Sequence, residues 1–151
     1  VLFTSTIEVG GAMLNEAIAK EFKVNISEAE KIKRERGLGQ GKENKKAFGA
    51  IVSTVSIFRD EINKHFIYWH THKETDQYIH RPVEKILLCG GDSNLYGLVD
   101  YLARSLRIKV ELANVWVNVL TPAQYVPEIS FRDSLTYATA IGLALADQNY
   151  D

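Results

Sequence analysis

The sequence holds little that crosslinks or stiffens a chain: one cysteine, Cys89, and three prolines in 151 residues. A single cysteine excludes an internal disulfide and makes a reducing compartment the default. No segment approaches the roughly 18 consecutive apolar residues that cross a bilayer. No signal peptide precedes the first element. There is no initiator Met either, and Val1 falls inside a strand-like pattern, so the chain is expected to be a piece of a longer protein. An excess of one charge is also missing. Eighteen basic residues against nineteen acidic ones leave a net charge of −1, without the electrostatic footprint of a nucleic-acid binder. The one locally basic run, "KIKRER" (Lys31 to Arg36), reads first as a solvated helix face. Cys89 lies in an apolar run and is expected to be buried in a strand.

What remains is the composition of a globular domain, 46% apolar and 25% charged. "VLFTSTIEV" (Val1 to Val9) is rich in β-branched residues and reads as a strand ended by Gly10-Gly11. Leu14, Ile18 and Phe22 then mark one helical stripe. "ISEAEKIKRERG" reads as a helix with Ser27 as N-cap, Glu30 completing a capping box and Gly37 as the stop. "GLGQGKENKK" is a loop. Phe48, Ile51, Val55, Phe58, Ile62, Phe66 and Trp69 then form one stripe along a long helix. Lys85 to Cys89 is a second strand, and "IKVELAN" a third. Between them, Leu95, Leu98, Val99, Leu102 and Leu106 share a helix face starting near Ser93. A last helix carries Leu135, Ala138, Ile141, Gly142 and Leu145 on its packing side.

This order is an α/β pattern. Residues 1–22 and 78–151 make the sheet-containing part, and residues 23–77 an inserted helical subdomain with its own small core. The two strands around the Leu98 helix should be parallel neighbours, because a helical crossover joins parallel strands. An incomplete sheet should also expose an edge that favours self-association.

Chemistry concentrates at two places. Gly90-Gly91 sits between a strand and a helix, where bare backbone can approach a flat ligand or simply turn a corner. It is neither a P-loop nor a dinucleotide fingerprint, since no Gly-Lys-Ser/Thr follows and the third glycine is too far away. Glu30 and Lys33, three apart on a helix, point to one side. A carboxylate there can accept from two ribose hydroxyls and a lysine can donate to purine or ribose acceptors; equally, Glu30 can complete a cap and Lys33 can be solvated. His65, His70, His72 and His80 give no metal site: His65 and His72 lie about 10 Å apart along a helix at 1.5 Å per residue. No Ser/His/Asp arrangement follows from spacing, and no catalytic residue is assigned.

Taken together, "TSTIEVGGAMLNEAIAKEF", "SEAEKIKRERG", "INKHFIYWHTH", "ILLCGGDSNLYGLVDYLARSLRIKVELAN" and "TYATAIGLALA" resemble, in this order, the C-terminal half of an actin-like ATPase. The likeness is to the bacterial type IV pilus assembly protein M (PilM) family, with cell-division FtsA next, and it covers nearly the whole chain. It implies the actin-like (ribonuclease H-like) fold with an inserted helical lobe. It implies ATP with magnesium as the parent's cofactor, with Gly90, Gly91 and Asn94 on one side of adenosine, Glu30 and Lys33 on the other, and Gly11 near the ribose or phosphates. Asp92 departs from the small residue that many relatives carry after Gly-Gly. The family's first phosphate loop, catalytic acid and magnesium-binding aspartate have no counterpart here, so the resemblance implies a weak ATPase as parent and no hydrolysis by this part alone. It also implies a cytoplasmic protein held at the inner membrane by the cytoplasmic peptide of a pilus partner. A non-catalytic scaffold and an FtsA-type filament protein are the alternatives.

Overall fold

The first two helices each end at a residue with positive φ. Helix α1 (Gly11–Phe22) ends at Lys23, whose φ of 57° lets its N–H reach back to the Ala19 carbonyl. Helix α2 (Ile26–Arg36) ends at Gly37, with φ 45°. A computed structural model describes residues 3–71, 82–119 and 127–147. Within it follow a 3-10 turn (Lys42–Asn44), helix α3 (Lys45–Thr71), strand β1 (Lys85–Leu88), a second 3-10 turn (Gly91–Asn94), helix α4 (Leu98–Leu106) and strand β2 (Lys109–Leu112). A short helix α5 (Phe131–Ser134), a further 3-10 turn and helix α6 (Ala138–Asp147) complete it.

The parallel unit is as the sequence predicts. β1 and β2 pair in parallel, Lys85 opposite Lys109 through Leu88 opposite Leu112, with α4 as the crossover. The Ala113 N–H extends the ladder to the Leu88 carbonyl at 2.8 Å. α4 begins at Leu98 rather than near Ser93, because Gly97 sits at φ 80° and interrupts any helix running on from the preceding turn. The α3 stripe also holds: Ile51 and Val55 are buried, and Phe48, Phe58, Ile62, Phe66 and Trp69 half-buried.

Four expectations need correction. α2 starts two residues before a Ser27 cap would allow. Asn25 is the N-cap, its side chain accepting from the Glu28 N–H at 2.9 Å, so Glu30 is free for other partners. Residues 3–10 form no strand: they have no ladder partner among the described residues, and an extended segment without one lacks cross-strand support. Phe3 stacks instead on Tyr68 of α3, ring centroids 5.5 Å apart. Cys89 is exposed, because the period-two alternation puts it with Lys85 and Leu87 on the uncovered face of the sheet. Finally, the helices do not close a core of their own. Leu14 and Ile18 of α1, Ala29 of α2, and Ile51 and Val55 of α3 form one buried cluster with Leu98 and Leu102 of α4 and Val110 of β2. His72, His80 and the proline loop around 120–126 lie outside the described residues.

Leu102 is fully buried in that shared cluster, whereas Leu87 is 53% exposed. Leu102→Ala should therefore cost about 2–5 kcal/mol of unfolding free energy, the range for a truncated core leucine. Leu87→Ala should stay within about 0.5 kcal/mol, as surface substitutions do. Denaturant unfolding of both variants checks this; equal losses would mean that the sheet's open face is covered.

Candidate functional site

The two faces of the Gly90-Gly91 corner have different roles. The Gly90 N–H donates to the Leu135 carbonyl at 2.9 Å, and the Gly90 carbonyl accepts from the Ser93 N–H at 3.2 Å and hydroxyl at 2.6 Å. Its polar groups are thus consumed by the turn, and its φ of 91° belongs to a region that side-chain-bearing residues rarely enter. Gly91 has no such strain. A Cβ there would meet only the Thr136 methyl at 3.4 Å, and its backbone faces a cleft.

That cleft has a volume of about 350 Å³. α2 contributes Glu30, Lys33 and Arg34, the turn after β1 contributes Gly91, Asp92, Asn94 and Leu95, and the C-terminal elements contribute Arg132, Asp133 and Thr136. Four of the six residues singled out from sequence therefore line one space: Glu30, Lys33, Gly91 and Asn94. Gly90 stands behind it as the hinge of the turn. Gly11 borders a neighbouring apolar cavity instead, together with Leu14, Val55, Phe58, Leu88 and Leu98.

Lys33 decides the electrostatics. It is only 5% exposed, so the solvated reading fails for it. Its ammonium lies 2.7 Å from Glu30 Oε2 and 2.8 Å from Asp92 Oδ1. Glu30 takes two further donors, Asn15 Nδ2 at 2.6 Å and Arg34 Nε at 2.8 Å. Burial pushes the Glu30 carboxyl up, but hydrogen bonds from Lys33, Arg34 and Asn15 outweigh it and hold the group at about 2. Asn94 donates to the Arg132 carbonyl at 2.8 Å, which ties the corner to α5; its Oδ1 is buried without a hydrogen-bond partner among the described residues.

Arg34 was open to discovery from spacing, since it stands four residues after Glu30 on one helix. Asn15, Arg132, Asp133 and Thr136 arrive from other elements, and no local pattern marks them. Asp92 was conspicuous in sequence only as a departure; in the structure it is the second carboxylate on Lys33.

Two findings place this architecture. A solved chain described as "PilM-PilN type IV pilus biogenesis complex" superposes with a TM-score of 0.68 at 26% identity, over 88% of this chain and 35% of that one. No curated protein matches. The parallel β1–α4–β2 unit with its helical segment is thus part of an actin-like ATPase fold. A family model, type IV pilus assembly protein PilM, matches residues 1–148, and the chain belongs to that family. It spans about a third of the length of the solved relative, 35%.

Glu30 gives a pH test. Its carboxyl falls from an ordinary 4.5 to about 2 on folding, so it contributes stability above 4.5 that is lost as pH drops toward 2. Glu30→Gln should lower stability at pH 7 and flatten the stability profile between those values. Urea unfolding at several pH values measures it; an unchanged slope would mean that the ion cluster does not form.

Proposed function

We propose that this chain forms the adenosine-side wall of a nucleotide site in a cytoplasmic actin-like protein of type IV pilus assembly. The observation that carries this reading is convergence: Glu30 and Lys33 on α2 meet Gly91, Asp92 and Asn94 across one cleft, although Lys33 and Asp92 are 59 positions apart in sequence. The cleft's size lies at the lower end for small-molecule sites, which suits a nucleoside. Its charged lining residues are three basic (Lys33, Arg34, Arg132) and three acidic (Glu30, Asp92, Asp133), a balance that does not favour a polyphosphate. Glu30 would accept from ribose hydroxyls, Lys33 would donate to the nucleoside, and the Gly91 backbone would let the flat base approach. ATP supplies the phosphates and binds with magnesium through groups outside this cleft.

The complete protein would act at the inner-membrane platform of the pilus through a cytoplasmic peptide of a membrane partner. The solved relative is described as a complex with PilN, and a comparable partner is proposed here. Among the described residues no helix is long and apolar enough to cross a membrane. One observation favours a second reading, a non-catalytic scaffold: Asp92 puts a carboxylate on the lysine that the ligand would use.

Calorimetry with ATP and magnesium on the full-length protein separates the two. Gly91→Val should abolish binding with the fold retained, since the position has no positive φ and the branched side chain would enter the cleft. Lys33→Ala should weaken binding by about 1–3 kcal/mol, the scale of a hydrogen bond to a charged group. Wild-type affinity in Gly91→Val would reduce the corner to a turn; no binding by any form would leave the scaffold.

A further inference from the structure

The charges of this chain balance only as a whole. Lys23, Arg36, Lys42, Lys45 and Lys46 come together where α1 ends, α2 ends and α3 begins. At the centre stands Phe22, with Lys46 Nζ 4.5 Å and the Arg36 guanidinium 5.7 Å from its ring centroid. Arg36 Nη1 also donates to the Glu43 carbonyl at 3.4 Å, and Lys42 and Lys45 line one depression with Phe48. Lys23 follows Phe22 directly as the C-cap of α1. All four lysines are exposed. None of the five cations forms an ion pair among the described residues, whereas Lys33, Arg34, Lys85 and Lys109 are all paired. Two acidic residues, Glu21 and Glu43, belong to the same stretches, and the Glu43 carboxylate folds back over Gly41 instead of pairing with a neighbouring lysine.

We propose that this basic face docks the protein on an anionic lipid surface. The inference is independent of the nucleotide cleft and rests on the inner-membrane placement proposed above. The charge distribution argues for it. The chain has eighteen basic and nineteen acidic residues; five and two of them lie here, which leaves thirteen and seventeen elsewhere. The chain is thus positive where the three helices meet and negative over the remainder, and a negatively charged plane attracts and orients it by that end. The chemistry of the face selects the partner. A protein partner needs an apolar or aromatic anchor at the centre of the contact, and here the central ring is capped by Lys46 and Arg36. A long nucleic acid would run on over the negative remainder. A fluid headgroup layer requires no shape match, and exposed lysines on flexible stems meet it without first breaking an ion pair. Stable peripheral attachment takes two signals; this face supplies one and the membrane partner the other.

Co-sedimentation of the full-length protein with vesicles tests this, using phosphatidylglycerol mixed into phosphatidylcholine against phosphatidylcholine alone. Wild type should bind only the anionic vesicles, and binding should fall steeply as salt is raised. Each cation near an anionic surface contributes roughly a fivefold gain, so the triple variant Lys42→Gln, Lys45→Gln, Lys46→Gln should bind about tenfold more weakly or worse. The double variant Lys42→Gln, Lys45→Gln leaves the Phe22 contact of Lys46 intact and should lose about fivefold or more; it carries the test if the triple variant does not fold. Arg104→Gln, on α4 and away from this face, should change binding by less than about twofold. Wild-type binding in both lysine variants overturns the inference, as does equal binding to both kinds of vesicle. If wild type ignores anionic vesicles but binds a polyglutamate peptide, and the triple variant does not, the face serves an acidic protein and the lipid proposal is overturned. Fractionation of the cells that make the protein separates the two readings. Wild type on the membrane in cells but not on vesicles overturns this inference alone; wild type wholly in the soluble fraction overturns the inner-membrane placement and the inference together.

Discussion

A lysine ammonium taken out of water must be answered by carboxylates, and Lys33 imposes that demand on everything near it. An unpaired buried charge costs several kcal/mol, so the fold cannot leave the group alone. The answer comes from two places far apart in sequence, one turn earlier on α2 and at the corner after β1. Asn15 of α1 joins through Glu30. One cation thereby fixes the mutual position of α1, α2 and the corner, the three pieces that any ligand of this cleft has to meet. The Leu38 N–H, which donates to the Tyr96 carbonyl at 2.8 Å, holds the other end of the same junction.

Apolar packing and polar fixation divide the task. The shared cluster of Ile18, Ile51, Leu102 and their neighbours brings the helices and the strand unit together, but burial is non-directional. Hydrogen bonds and ion pairs set the register within that contact. The corner is held from behind by the Leu135 carbonyl and from the side by Asn94 on the Arg132 carbonyl, so its front is left to the cleft.

Much of this could be read in advance. The stripes on α1, α3 and α4 were legible because a buried helix face repeats at three and four residues, and the parallel pair followed from a helix between two short apolar runs. Glu30, Lys33, Gly91 and Asn94 were legible through a resemblance in which five motifs occur in order; spacing alone left each of them ambiguous. What escaped depended on contacts between distant segments. Asn25 rather than Ser27 caps α2, because the helix start is set by which side chain reaches an unpaired N–H, and the Ser27–Glu30 spacing does not reveal that reach. Residues 3–10 have strand-forming composition, yet a strand exists only beside another strand. Cys89 sits in an apolar run, but in a sheet covered on one face only alternate positions are buried. Arg132 and Asp133 gave no signal, since their place beside Lys33 is decided by how the chain returns.

The exposure of Cys89 has an experimental side. It is the one cysteine of this sequence, it follows the last residue of β1, and it borders the same apolar cavity as Asp92. The fold thus presents a single thiol at the back of the corner whose front faces the cleft. A small environment-sensitive dye attached there would stand one cavity wall away from the carboxylate on Lys33. The corner carries its own attachment point for a spectroscopic reporter, and no cysteine has to be engineered into this chain to follow what happens at that corner.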